Sequence, residues 1–280
     1  MKEKRKVELV VLSDVHLGTF GCHAKELLHY LKSIDPQHLV LNGDIIDVWQ
    51  FSKKYFPTSH LKVIRYLMKL IQKGTRVTYI TGNHDEAFRR FVGFEMGGFE
   101  LKNKLLLDIH GNEVWIFHGD VFDVSMQFSK PLAKLGGMGY DLLILLNRFI
   151  NWVLKIFGKK PFSMSKKIKD SVKSAIKFIN NFEKTACEIA IEKGYEVVIC
   201  GHIHQPQMKE YSNSNGKVMY LNSGDWIENL TALEFNLGAW KLIRYEDLDF
   251  FDLEMEDVEE EISRKAPKVS EIADFIELIK

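Results

Sequence analysis

Cysteine is scarce: the 280 residues hold three, Cys22, Cys187 and Cys200, odd in number and far apart. They form neither a disulfide framework nor a C-x-x-C site, so the chain reads as a reduced, cytosolic protein. Long hydrophobic runs are missing as well. No stretch reaches the roughly 20 apolar residues that span a bilayer. The opening MKEKRKVELVVLSDVH carries too short an apolar run to be a secretory signal. Net charge is absent, with 38 basic side chains against 38 acidic ones. What is present is ordinary globular composition. An apolar fraction of 46% supports a sizeable core and excludes disorder and collagen-like structure. The length permits one large α/β domain or two smaller ones.

The zero balance hides two opposed segments. Lys130–Lys184 holds 12 basic residues and only Asp141, Asp170 and Glu183 as acids. Glu246–Glu261 holds ten acids and no base. Blocks of one sign are usually solvated faces or tails. Before the basic block, short β-rich runs alternate with amphipathic stretches. Val7–Leu12, His38–Leu41, Arg76–Ile80 and Glu113–Phe117 read as strands, Glu26–Ser33 and Leu61–Gln72 as helices, the second stopped by Gly74. That alternation predicts a parallel sheet with helices on its faces. Strand signals return at Glu196–Cys200, Val218–Leu221, Thr231–Phe235 and Trp240–Tyr245.

Five of these strands stop at clusters of His, Asp and Asn. They are Ser13-Asp14-Val15-His16, Gly43-Asp44, Gly82-Asn83-His84-Asp85, His118-Gly119-Asp120 and Gly201-His202-Ile203-His204. Loops at the carboxyl ends of strands gather on one rim of an open α/β sheet, so the clusters are expected to converge. Asp14 with His16, and His202 with His204, stand two residues apart, which in extended chain points both side chains the same way. Taken singly, each cluster is a turn or a capped loop. Five in succession, each directly after a strand, have no such explanation.

Asp14, His16, Asp44, Asn83, His118, His202 and His204 offer only oxygen and nitrogen donors. The absence of thiolate argues against structural zinc or an iron–sulfur cluster. Imidazole mixed with carboxylate suits manganese first, with iron or zinc as alternatives. Seven ligands exceed the needs of one ion. Two divalent ions about 3.5–4 Å apart, bridged by a carboxylate, use them all. Asp44 is the expected bridge, since it has no adjacent partner ligand.

The series D-x-H, G-D, G-N-H-D, H-G-D, G-H-x-H, running from Ser13 to His204, resembles that of the calcineurin-like metallophosphoesterases. The resemblance implies an α/β fold, a two-sheet sandwich flanked by helices, with a dinuclear centre at one rim. It implies that Asp14, His16, Asp44 and either His202 or His204 hold one ion. Asp44, Asn83, His118 and the other histidine then hold the second. His84 matches the family's catalytic histidine, beside the substrate phosphate with Asn83. Asp85 is expected to orient the His84 ring, with a helix N-cap before Glu86 as its equal alternative. The phosphoprotein phosphatase branch carries Gly-Asp-x-x-Asp-Arg-Gly; here Asp47 is followed by Val48 and Trp49, which speaks against that branch.

Between His118 and His202 lies an insertion. Leu142–Phe157 has 12 apolar residues of 16 and one polar stripe, Asn147, Arg148, Asn151 and Lys155. A second helix begins near Ser165, its apolar face including Ile168, Val172 and Phe182, with Lys166, Lys169, Lys173 and Lys177 on another stripe. The bland reading is a helical hairpin packed on the sandwich; the sharper one is a lid over acyl chains or against a membrane surface. This architecture is similar to the UDP-2,3-diacylglucosamine diphosphatase family of lipid A synthesis. The similarity implies cleavage of a pyrophosphate to UMP and 2,3-diacylglucosamine 1-phosphate by metal-bound hydroxide. Asp123 then corresponds to a substrate-contacting aspartate, and Lys173 to a phosphate-contacting lysine. The best-known branch carries arginine where this chain has His84.

The expectation is therefore a metal-dependent hydrolase of a nucleotide-linked lipid, cytoplasmic and peripheral on the inner membrane. Its metallophosphoesterase domain spans residues 1–245, interrupted by a helical insertion at 124–190 and followed by a peripheral acidic segment, 246–280. A phosphodiesterase or nuclease acting through the same centre is the alternative, though nucleic acid is not the expected partner; a non-catalytic scaffold would not need the complete ligand set.

Overall fold

The computed structural model describes residues 4–49, 56–122 and 164–248, with the backbone alone over 164–176. By compactness the chain divides into two units, Met1–Asp120 with Cys187–Lys280, and Val121–Ala186.

The first sheet is built on β1 (Arg5–Leu12), β2 (Ile34–Asn42), β3 (Arg76–Ile80), β4 (Glu95–Met96) and β5 (Phe99–Lys102). The second contains β6 (Lys104–Ile109), β7 (Asn112–Phe117), β8 (Val197–Cys200), β9 (Gln207–Asn213) and β10 (Gly216–Asn222). β11 (Thr231–Asn236) and β12 (Ala239–Arg244) return to the first sheet, giving the orders β12-β11-β1-β2-β3-β5-β4 and β6-β7-β8-β10-β9. Both sheets are mixed. β1, β2, β3 and β5 run parallel, as do β7, β8 and β10, while β11 joins β1 antiparallel and hairpin partners add antiparallel edges.

The valine-rich run of β1 is buried on both faces, which is why it lacks polar alternation. Leu9 and Val11 face the second sheet, in a core with Val40, Ile80, Ile116, Ile199, Leu221 and Leu233. Val10 and Leu12 face the other way, toward a core that includes helix residues Leu27, Leu31, Leu61 and Leu70. These belong to α1 (Ala24–Ser33) and α2 (Thr58–Gln72). α2 ends where Gly74 turns to φ +95°, in the left-handed region that closes many helices. β2 starts earlier than its apolar run, at Ile34, and includes Pro36. Proline is tolerated there because β3 joins only from His38 onward, and Thr75 Oγ1 donates to the Pro36 carbonyl.

α3 (Met164–Lys193) is the one long helix after β7 among the described residues. Leu142–Phe157, and all of the acidic segment beyond Leu248, lie outside them. Among the described residues no helix is long and apolar enough to cross a membrane.

Candidate metal centre

β1, β2 and β3 are neighbours in the first sheet and β7 and β8 in the second. The two sheets pack through a shared core, so the five predicted loops emerge together. They are also stitched. Asp14 N donates to Gly43 O at 3.1 Å and His16 N to Asp44 O at 2.9 Å. His84 N donates to Asp44 Oδ1 at 2.8 Å, and His202 N to Asp14 Oδ2 at 2.9 Å. Each carboxylate thus spends one oxygen on a loop from another strand and keeps the other.

The backbone does not follow the extended geometry expected of the x-x pairs. Asp14, His16, Asp44, His202 and His204 have φ of 52°, 53°, 54°, 69° and 52°. Left-handed conformations cost L-residues about 1 kcal/mol or more each and persist where surrounding contacts impose them. The side chains converge because the chain turns sharply at each strand end, not because it stays extended. The motif glycines follow from crowding. A Cβ on Gly43 would run into the His118 ring, and one on Gly82 into Asp44 and His118, both closer than 3.0 Å.

Three groups of possible ligands result: Asp14, His16 and His204; His16, Asp44 and His84; Asp44, His118 and His202, with the donor atoms of each group within 4.8 Å of one another. This places His204 beside Asp14 and His16, and His202 beside His118, where the sequence left the two histidines interchangeable. Asp44 stands in two of the groups. Asp14 Oδ1 lies 3.1 Å from His204 Nε2, and Asp44 Oδ2 lies 3.3 Å from His118 Nε2.

The donor set fits divalent ions. Among the described residues His16 Nε2 and Asn83 Oδ1 are buried polar atoms without a hydrogen bond, and Asp14 Oδ1 and His118 Nε2 face another candidate ligand rather than the scaffold. Such atoms are costly unless something satisfies them. Their tautomers are set from behind. His118 Nδ1 lies 2.9 Å from the Asn42 carbonyl, which can only accept, so Nδ1 carries a proton and, once the ring is neutral, Nε2 presents the lone pair. His16 Nδ1 faces Asp47 Oδ2 at 3.3 Å, with the same consequence.

Asp47 is the residue the sequence reading did not assign. Its carboxylate is fully buried and also meets His84 Nδ1 at 2.9 Å. The carboxylate on the His84 ring is therefore Asp47, not Asp85. Asp85 instead accepts from Gly82 N at 2.6 Å, Ile45 N at 3.0 Å and Tyr79 Oη at 2.6 Å, tying the β3 loop to the β2 loop. It stands at the N-terminus of the 3-10 turn Glu86–Phe91 without capping it through its side chain. The signal available for Asp47 was a second carboxylate three residues after Asp44, in the loop that follows β2. The exposed Trp49 ring packs 4.7 Å from the His84 ring.

Electrostatics tighten the site. Burial pushes Asp44 up, but His118 and His16 outweigh it and hold the carboxyl at about 2. Asp14 is held low by His204 in the same way, against its burial. Burial lowers His204, and Asp14 more than reverses that, to about 9. His118 is raised well above the ordinary imidazole range by Asp44, although burial opposes it. Asp85 is pushed up to about 6 by burial and by the charge of Asp44. Asp123 and the Lys173 side chain lie outside the described residues.

The chain is similar to several known proteins. The model of the family described as calcineurin-like phosphoesterase matches residues 7–206. UDP-2,3-diacylglucosamine hydrolase of Aliivibrio fischeri (strain MJ11) is 22% identical over 252 residues, 85% of this chain and 98% of that protein. The protein of the same name from Serratia proteamaculans (strain 568) is 25% identical over 242 residues, 84% of this chain and 97% of its own. A solved archaeal phosphodiesterase aligns with a TM-score of 0.39 and 12% identity over 84% of this chain and 98% of its own. With these candidate ligands on its strand ends, the chain belongs to the calcineurin-like phosphoesterase family of metal-dependent phosphoester hydrolases.

Proposed function

We propose that this protein hydrolyses the pyrophosphate of UDP-2,3-diacylglucosamine, releasing UMP and 2,3-diacylglucosamine 1-phosphate. The observation that carries the reading is that Asp44 groups with His16 on one side and with His118 and His202 on the other. Similarity to proteins named for that substrate, over nearly their whole length, supports the choice of a nucleotide-linked lipid.

In this reading Asp14, His16, Asp44 and His204 hold one divalent ion, and Asp44, Asn83, His118 and His202 hold a second, manganese being the proposed metal. Bound there, such ions would supply Lewis acidity toward a phosphoryl oxygen and toward water. The protein supplies the rest. Burial lowers the His84 imidazole, but Asp47 and Asp44 raise it above its ordinary value, which favours its protonated form. With Nδ1–H directed at Asp47, Nε2–H is free to donate to the departing oxygen. Asn83 faces the same phosphate. Asp123 and Lys173 are proposed to contact substrate. The apolar Leu142–Phe157 segment is proposed to cover its acyl chains and to touch the inner membrane from the cytoplasmic side.

The test is an assay with manganese of UDP-2,3-diacylglucosamine beside a generic phosphodiester and single-stranded DNA. Release of UMP at a rate far above hydrolysis of the other two is expected. Faster cleavage of the diester or of DNA would replace this reading with a phosphodiesterase or a nuclease.

A further inference from the structure

The turn between β10 and β11 carries none of the ligand side chains, yet it grips two of the residues that do. Asp225 is fully buried. Its Oδ1 accepts the backbone N–H of Ile227 at 2.8 Å, Glu228 at 2.5 Å and Asn229 at 3.2 Å. Its Oδ2 accepts from Asn229 Nδ2 at 2.5 Å. That same Nδ2 donates to the His204 carbonyl at 3.1 Å. A carboxamide nitrogen has two hydrogens, and both are committed here, one backwards to Asp225 and one forwards to His204.

The other end of the turn holds Asp14. Trp226 N donates to Asp14 O at 3.1 Å. Ser13 Oγ donates to Gly224 O at 2.9 Å and lies 2.7 Å from Ser223 Oγ. The residues so gripped are the pair whose Oδ1 and Nε2 stand 3.1 Å apart. The remaining ligands are held by other means: His118 through Asn42 O at 2.9 Å, and its carbonyl by Gly201 N at 2.9 Å. The Asn229 contact reaches His204 directly, whereas His202, two residues earlier in the same loop, is held through its own N–H on Asp14 Oδ2. His204 needs its support, since at φ +52° it occupies a backbone conformation that L-residues keep only when contacts impose it.

We infer that Asn229, anchored by Asp225, is a positioning residue that fixes the His204 backbone and so governs ion binding at the Asp14–His16–His204 group independently of the Asp44–His118–His202 group. The inference rests on the reading that each group holds an ion.

Calorimetric titration of the chelator-stripped full chain with manganese(II), with electron paramagnetic resonance of the same samples, tests it. Wild type is expected to bind two ions and to show an exchange-coupled pair. In Asn229→Ala one ion weakens about ten- to a hundredfold while the other is unchanged, and the coupled signal gives way to that of a single ion. Two ions at wild-type affinity, or equal weakening of both, would overturn the inference. A wild type that binds fewer than two ions would instead overturn the two-ion reading beneath it. A second measurement needs no variant. During zinc(II) titration of wild type followed by 1H–15N spectra, the Asn229 side-chain amide should move with one equivalent only. An amide that stays in place through full loading, or moves with both equivalents, contradicts the inference.

Discussion

Asp47 Oδ2 lies 2.9 Å from His84 Nδ1, with the carboxylate fully buried and the ring 24% exposed. The same oxygen faces His16 Nδ1 at 3.3 Å. One carboxylate thus orients a candidate ligand and a candidate proton donor. Asp47→Asn keeps the shape and removes the charge. Burial alone would lower His84, and Asp47 is the partner that reverses this. The variant should lose about a hundredfold in kcat, and the alkaline limb of the rate profile, where His84 gives up its proton, should move to lower pH. A pH–rate profile checks it; an unmoved limb means that Asp47 does not tune His84.

His84 and Asp44 should separate chemistry from metal binding. His84→Ala is expected to lower kcat about a hundred- to ten-thousandfold while ion content stays near wild type. Asp44→Ala should lose most of the rate and most of the metal together, because its carboxylate belongs to two ligand groups. Elemental analysis beside steady-state kinetics distinguishes them.

Loading the site should release protons. Without ions, Asp14 raises His204 to about 9, and Asp44 holds His118 well above the ordinary range, each against the effect of burial. Both rings then favour the protonated form, and both must be neutral to coordinate. Protons should leave as the ions bind, and apparent affinity should rise with pH up to about 9. Calorimetry in buffers of different ionisation enthalpy counts the protons.

His38 gives a stability test away from the site. Burial, helped by Arg76, pushes it down to about 4, and its Nε2 lies 2.8 Å from Thr78 Oγ1. The unfolded chain holds this proton below about 6.5, the folded chain only below about 4. The unfolded state therefore binds more protons between those values. The stability is present above the upper value and falls as pH drops through the window, by about 1 to 3 kcal/mol. Urea unfolding of wild type and His38→Gln from pH 7 to 4 should show a shallower decline in the variant.

Much of the centre was legible in the chain because its ligands follow strands whose burial writes itself into composition. β1, β2 and β3 are apolar on both faces, and β3 runs over the predicted Arg76–Ile80. Convergence of the loops followed from topology, but the reason offered for Asp14 and His16 did not survive, since both residues are left-handed rather than extended. The edge strand β9 reads QMKEYSN and is largely solvent-facing, so it carries no apolar pattern. The two-residue β4 is too short to have one. Asp47 and Asn229 act through bonds to residues 37 and 25 positions away, which neither composition nor periodicity encodes.

In the proposed centre, five strand ends close around one pair of ions. Crystals of the manganese-loaded protein, measured at the metal's absorption edge, test this most directly. Two anomalous peaks about 3.5–4 Å apart with the Asp44 carboxylate between them are the predicted result. A single peak, or peaks remote from Asp44, would contradict it.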